Sequence, residues 1–193
     1  MNKNENENEN LLWKQLDSKC ICSTRVVQVN EVKSLSPQQT EGNYIVMDAP
    51  SWVIVIPELQ DAEGKEKFVM VEQWRHGSCS ISREFPGGVV NEGEDPEAGA
   101  KRELLEETGY EARKITFLGK VSPNPAIMSN YLYVYAAEDL VNTHEQHLDA
   151  DEYVRVFEED AEEVFKKMGD APYSHGLMVA AFQLFQRYKK YGR

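Results

Sequence analysis

Residues 88–110, GVVNEGEDPEAGAKRELLEETGY, narrow what this chain can be more than any other stretch: they crowd seven carboxylates, one arginine and four glycines together. Asp95-Pro96-Glu97 reads as a helix start, because Asp95 can accept hydrogen bonds from free amides, Pro96 fits the first helical position and Glu97 suits the positive end of the helix dipole. Gly109 reads as the stop, since glycine tolerates the left-handed cap conformation. At about 100° per residue, Glu103, Glu106 and Glu107 fall within roughly one third of the circumference, while Ala98 and Leu105 point broadly the other way with Leu104 to one side. One face is therefore expected to pack and the opposite face to carry clustered negative charge. Gly99 falls on the charged face, where a missing side chain leaves room for a loop or an ion. Arg102, one turn before Glu106, is placed to pair with it.

Carboxylates held this close repel one another, so the arrangement is costly unless cations bind there. Oxygen-only ligands on one rigid face suit Mg2+, or Mn2+, with several waters retained for a phosphate to displace. The bland alternative is a solvated, glutamate-rich helix face, and spacing decides against it. Gly88, five residues, Glu94, seven residues, then Arg102-Glu103-Leu104-Leu105-Glu106-Glu107-Thr108-Gly109-Tyr110 resembles the signature of the Nudix hydrolases at every charged and glycine position. The one departure is Tyr110, where the family usually carries an aliphatic residue. The resemblance implies that Glu103 and Glu107 are magnesium ligands, Glu106 a ligand or water-holding group, Arg102 and Glu94 a salt-bridged brace, and Gly87 a ligand through its backbone carbonyl.

The length suits one full core with a small N-terminal extension. Residues 2–10 alternate Asn and Glu around a single Lys, which reads as a disordered tail within 1–10. Residues 11–43 read as an N-terminal strand extension and 44–193 as the hydrolase domain. Within the extension, 20–33 is rich in β-branched residues and is followed by a polar turn at 36–43. Strands are then expected at 44–48 and 52–56, with 67–75 forming a hairpin with 52–56 across the turn 61–65. Further strands are expected at 115–121, 131–136 and 153–157, and helices at 159–168 and 174–191. The last helix carries Leu177, Ala180, Ala181, Leu184, Phe185 and Tyr188 at core spacing. This order makes an α/β fold with a mixed sheet and helices on both faces; the resemblance makes it a Nudix-type α/β/α sandwich with an added N-terminal β extension.

Outside the signature, Glu72-Gln73-Trp74-Arg75-His76-Gly77, Glu84-Phe85-Pro86-Gly87-Gly88, Ser122-Pro123-Asn124-Pro125 and Asp48-Ala49-Pro50-Ser51-Trp52 resemble the ADP-ribose pyrophosphatase branch of the family. Arg75 has the planar fork that grips phosphate oxygens in two bonds. Glu84 either completes the metal set or holds Arg75, and His76 before Gly77 reads as a turn residue. In the resembling branch a loop glutamate activates the attacking water; in 148–153 the candidate is Glu152, with Asp151 next. Tyr44 and Trp52 are aromatics that could stack on a base, although Trp52, in a run of Val and Ile, fits burial in the sheet better. His144-Glu145-Gln146-His147 lacks the spacing of a helical zinc pair.

The charge balance is 21 Lys and Arg against 33 Asp and Glu, a net of −12. Such a chain is repelled by phosphate backbones and anionic bilayers, so neither nucleic acid nor membrane is the expected partner. A small diphosphate remains compatible, because a bound magnesium ion inverts the local field. No apolar run approaches the roughly 18 residues of a membrane span, and the first residues carry no apolar leader; a cytoplasmic location is expected. Cys20, Cys22 and Cys79 are expected as free thiols. The expected activity is magnesium-dependent hydrolysis of the pyrophosphate bond in a nucleoside diphosphate linked to another moiety, ADP-ribose or a nucleotide sugar. The rival is a non-catalytic Nudix-fold nucleotide-binding module, which normally carries broken signature acids. The N-terminal strands expose edges and Val26, Val27 and Val29, so a homodimer that covers them is expected.

Overall fold

The structure, a computed structural model, describes residues 9–148 and 153–192. The chain divides into two compact units: Met1–Pro50 with Ser122–Asn130, and Ser51–Val121 with Tyr131–Arg193. Each is built from its own sheet.

The first unit holds an antiparallel sheet of β1 (Lys14–Ser23), β2 (Gln28–Leu35) and β3 (Glu41–Asp48), in that order. The β-branched stretch 20–33 is shared between β1 and β2. Thr24 breaks it: its hydroxyl accepts from the amides of Val26 and Val27, so a side chain competes with the ladder and turns the chain. The register of β1 slips between Cys20 and Cys22, and both thiols are exposed and free. Segment Ser122–Asn130 runs along β3, where Met47 donates to the Ile127 carbonyl at 2.7 Å and accepts from Ser129 at 3.2 Å. Residues 44–48 thus belong to this sheet, and the unit boundary falls after Pro50.

The second unit is a six-stranded mixed sheet of β4 (Trp52–Gln60), β5 (Glu66–Arg75), β6 (Ser80–Glu84), β7 (Tyr110–Val121), β8 (Leu132–Asn142) and β9 (Val154–Asp160). Its order is β6-β5-β4-β8-β7, with β9 paired to β5. Helices α1 (Pro96–Thr108), α2 (Ala161–Lys167) and α3 (Gly176–Tyr191) complete it. The hairpin across 61–65 forms, but its ladder joins Glu58, Leu59 and Gln60 to β5, whereas Trp52 to Pro57 pair in parallel with β8. The reason is the other edge of that strand. Val53 donates to the Gly88 carbonyl and Val55 to the Pro86 carbonyl, each at 2.9 Å, so the glycine loop occupies the place a hairpin partner would take.

Successive side chains of β4 point to opposite faces. Val53 and Val55, with Tyr135 and Ala137 of β8, meet Ala100 and Leu104 of α1. Ile54 and Ile56, with Val134 and Ala136, meet Met178, Ala181, Phe182 and Phe185 of α3. A strand buried on both faces has to be apolar throughout, which accounts for the run that begins at Trp52. The fold is therefore the expected α/β sandwich with helices on both sheet faces. Leu104 is fully buried, and truncating it to alanine would cost about 2–5 kcal/mol in fold stability. Among the described residues no helix is long and apolar enough to cross a membrane.

Candidate active site

Helix α1 is capped as its sequence dictates. The Asp95 carboxylate accepts from the amides of Glu97 and Ala98 at 2.9 and 3.4 Å, and Gly109, at φ 70°, donates to the Leu105 carbonyl at 2.8 Å. Its packing face differs from the expected one. Gly99, Ala100, Leu104, Glu107 and Thr108 are buried, while Ala98 is exposed and Leu105 only half-buried. Apolar periodicity is a weak guide in so charged a helix; the hydrogen bonds of the glutamates fix its rotation instead.

Those bonds run to the loop on β4. Glu107, 4% exposed, accepts from the Gly87 amide through Oε2 at 2.8 Å. A Cβ on Gly87 would lie 2.2 Å from the Val53 carbonyl oxygen, and one on Gly88 would lie 2.5 Å from the Glu103 carboxylate. Glycine at both positions is what lets the loop lie flat against β4 while two helix carboxylates close over it. Arg102 organises the rest. Its Nε and Nη2 reach the two oxygens of Glu94 at 2.9 and 3.0 Å, Nη1 reaches Glu103 and Glu106 at 2.9 Å each, and Nη2 also donates to the Val89 carbonyl at 3.0 Å. Hydrogen bonds from Arg102, and then from the Asn91 amide, pull the Glu94 carboxyl down to about 2. The Arg102–Glu94 pair and the expected contact with Glu106 are both made. Gly99 lies beneath the Glu94 carboxylate, so it admits a loop side chain rather than an ion.

Arg75 and Glu84 form a bidentate pair, Nε to Oε1 at 2.9 Å and Nη2 to Oε2 at 2.6 Å. Of the two roles open to Glu84, holding Arg75 is the one these bonds describe. Glu84 is 3% exposed; burial pushes its carboxyl up, but the hydrogen bonds from Arg75, with His175 nearby at 3.2 Å, prevail and hold it well below the usual carboxylate range. His76 lies in the turn after β5. Tyr44 lies on β3 in the first unit, half-exposed, with its ring edge-on to Trp13 at 5.4 Å. Trp52 packs against the core.

Glu152 and Asp151 fall outside the described residues. The chain just before them is fastened to the end of α1: Thr143 donates to the Gly109 carbonyl through both its amide and its hydroxyl at 2.8 Å, the Gln146 side chain donates to the Glu107 carbonyl, and the His147 amide donates to the Glu106 carbonyl at 2.9 Å. These cap the helix carbonyls that α1 cannot satisfy itself. Sequence reasoning missed this role, because nothing in 143–147 points to a helix more than thirty residues earlier. It also missed His175. Tyr110, the departure from the usual signature, donates its hydroxyl to Glu158 at 3.1 Å and so ties the start of β7 to β9.

Among the described residues, no group of three or more His, Cys, Asp or Glu side chains is already gathered as a metal site. The donor chemistry nonetheless fits a hard divalent cation. Glu103, Glu106 and Glu107 supply carboxylate oxygens from two turns of one helix, and the glycine loop beneath them leaves no side chain in the way.

A strand, a glycine loop fastened to a central β-strand, and a helix whose acids are braced by one arginine define an acid-rich hydrolase site. The chain belongs to the Nudix family of hydrolases: the NUDIX domain model matches residues 50–178. It is similar to the ADP-ribose pyrophosphatase of Bacillus subtilis (strain 168), 39% identical over 101 residues that span 52% of this chain and 55% of that protein. It is also similar over nearly its whole length to the methanol dehydrogenase activator of Bacillus methanolicus, 33% identical over 176 residues, 90% of this chain and 92% of that one. A crystal structure of an ADP compounds hydrolase superposes with a TM-score of 0.78 over 92% of this chain and 94% of its own; at 23% identity it shows a shared fold.

Proposed function

We propose that this hydrolase cleaves the pyrophosphate bond of a nucleoside diphosphate linked to another moiety, ADP-ribose or a nucleotide sugar, in a Mg2+-dependent reaction. The observation that carries the reading is the complete acid set of α1, with Glu107 bonded to the Gly87 amide and Glu103 and Glu106 held by Arg102. The name of the ADP-ribose pyrophosphatase relative supports the substrate class.

In this reading Glu103, Glu107, Glu106 and the Gly87 carbonyl would hold Mg2+, for which Mn2+ could substitute. The chemistry such an ion would supply is a lowered water pKa and neutralisation of diphosphate charge. Arg102 orients Glu103 and Glu106, and Glu94 holds Arg102 in place. Arg75, fixed by Glu84, turns its planar fork to the phosphates. Glu152 takes the proton from the attacking water, with Asp151 the second candidate. The substrate is a small molecule, and the enzyme acts as a homodimer through the N-terminal strands, beside which Leu11, Leu12, Trp13 and Val26 are all more than half exposed.

A second reading follows from the full-length match to a methanol dehydrogenase activator: the same hydrolytic site serves a dehydrogenase partner. A non-catalytic binding module is disfavoured, because every signature acid is present. The test is release of AMP from a panel of ADP-ribose, ADP-sugars and dinucleotides, with Mg2+ and with chelator, beside methanol dehydrogenase activity with and without the protein. Glu107→Gln, which keeps the shape but removes a negative charge, should abolish release with the fold retained by circular dichroism. Normal turnover by that variant would overturn the metal assignment, and no release from any compound would overturn the hydrolytic reading.

A further inference from the structure

We propose that Gln146 is a positioning residue for the divalent cation: its side chain holds the Glu107 carbonyl at the end of α1 and thereby sets the affinity of the Glu103, Glu106 and Glu107 carboxylates for the ion. The inference rests on the reading of those acids as metal ligands.

A helix cannot pair its last carbonyls with its own amides, and such ends fray. In α1 this is also the end that carries the acids. Glu106 and Glu107 occupy its last turn, where no basic side chain stands, so their charges add to the negative end of the helix dipole. Four residues on, the Tyr110 amide turns to the Thr108 hydroxyl at 3.2 Å and Glu111 already lies in β7, so neither continues the helix. The donors come from a distant segment: the His147 amide reaches the Glu106 carbonyl at 2.9 Å, and Gln146 Nε2 reaches the Glu107 carbonyl. Glu107 is thereby held from two sides, by Gln146 at its carbonyl and by the Gly87 amide at its carboxylate.

The segment that brings Gln146 there is itself fixed. It leaves β8 through a turn in which the His144 amide donates to the Asn142 side chain at 2.7 Å and His144 takes a φ of 63°. Thr143 fastens it to the Gly109 carbonyl through amide and hydroxyl, each at 2.8 Å. Glu145 lies directly on the helix cap: a Cβ on Gly109 would stand 2.9 Å from the Glu145 carbonyl oxygen, so glycine there admits the segment as well as the left-handed turn. Gln146 is exposed, and replacing its side chain leaves both apolar clusters intact.

Without the Gln146 donor the last turn of α1 loosens, and an ion has to order the carboxylates it binds, which costs affinity. Mn2+ alone is titrated into the full chain, with the free ion read by electron paramagnetic resonance, beside AMP release from ADP-ribose across a Mg2+ series. Gln146→Met, which keeps the length but not the donor, should raise the Mn2+ Kd about threefold to tenfold, the range that one neutral hydrogen bond supports. The Mg2+ concentration for half-maximal rate should rise in proportion, while kcat at saturating Mg2+ stays within about twofold of the parent. Should Gln146→Met misfold, Gln146→Ala, shorter and equally without a donor, gives the same test. An unchanged Mn2+ Kd in a folded variant would overturn the inference even if its thermal midpoint falls, for that is what a merely structural cap would do. A rate loss that persists at saturating Mg2+ would overturn it too. Glu107→Gln serves as the reference and should lose Mn2+ binding. A parent that binds no Mn2+, or a Glu107→Gln variant that binds it equally, overturns the metal reading itself; loss in Glu107→Gln without loss in Gln146→Met overturns the inference alone.

Discussion

Replacing Gly87 with alanine would place a methyl group 2.2 Å from the Val53 carbonyl oxygen, 3.0 Å from the Ile54 Cα and 3.1 Å from the Val53 carbonyl carbon. All three are backbone atoms of β4, which is buried on both faces, so none can swing aside. Relief requires the loop to move by about 1 Å, since carbon contacts settle near 3.5 Å. That movement stretches three hydrogen bonds at once: Val53 to Gly88, Val55 to Pro86, and Gly87 to Glu107. Losing one or two of them at about 0.5–1.5 kcal/mol each, with about 1–3 kcal/mol of overpacking, destabilises the fold by about 1.5–6 kcal/mol. The damage to catalysis is larger in proportion, because a misplacement of about 1 Å in a reacting site costs on the order of 10²-fold in rate. Urea unfolding gives the first quantity and Mg2+-dependent AMP release the second. A Gly87→Ala protein within about 0.5 kcal/mol of the parent, the range of innocuous surface changes, and within a few-fold in rate would refute the claim that this loop is pinned to β4.

Glu152→Gln should lose about 10²–10⁴-fold in turnover while magnesium and substrate still bind, and Asp151→Asn should lose much less; activity within a few-fold of the parent in Glu152→Gln would place the base elsewhere. The Glu94 carboxyl is depressed from its ordinary 4.5 to about 2, chiefly by Arg102, so its contribution to stability is fully present above about pH 4.5 and is lost as pH falls through 2. Arg102→Met should flatten the pH dependence of urea unfolding within that window, and an unchanged slope would show that the pair contributes nothing there. Light scattering at micromolar concentration should give a dimer; a fully active monomer would remove the N-terminal strands from the assembly.

Much of this protein was legible in one dimension because its decisive constraints are local. Asp95, Pro96 and Gly109 set the bounds of α1 by backbone chemistry that needs no distant partner, the spacing of Arg102 and Glu106 placed their pair on one helix, and the resemblance to the family signature implied the brace with Glu94. The run from Trp52 announced a strand buried in the sheet, and the period of α3 found the buried Ala181 and Phe185 but missed Met178 and Phe182. Local patterns failed where two parts of the chain compete for one edge. The edge of β4 goes to the glycine loop instead of to β5, and the rotation of α1 follows the Gly87–Glu107 bond instead of the positions of Ala98 and Leu105. Likewise, only the fold could bring Thr143, Gln146 and His147 to the carbonyls at the end of α1. Those contacts join residues that are far apart in sequence, and their worth lies in satisfying buried polar groups. Which group is left needing a partner is settled only when the chain has packed.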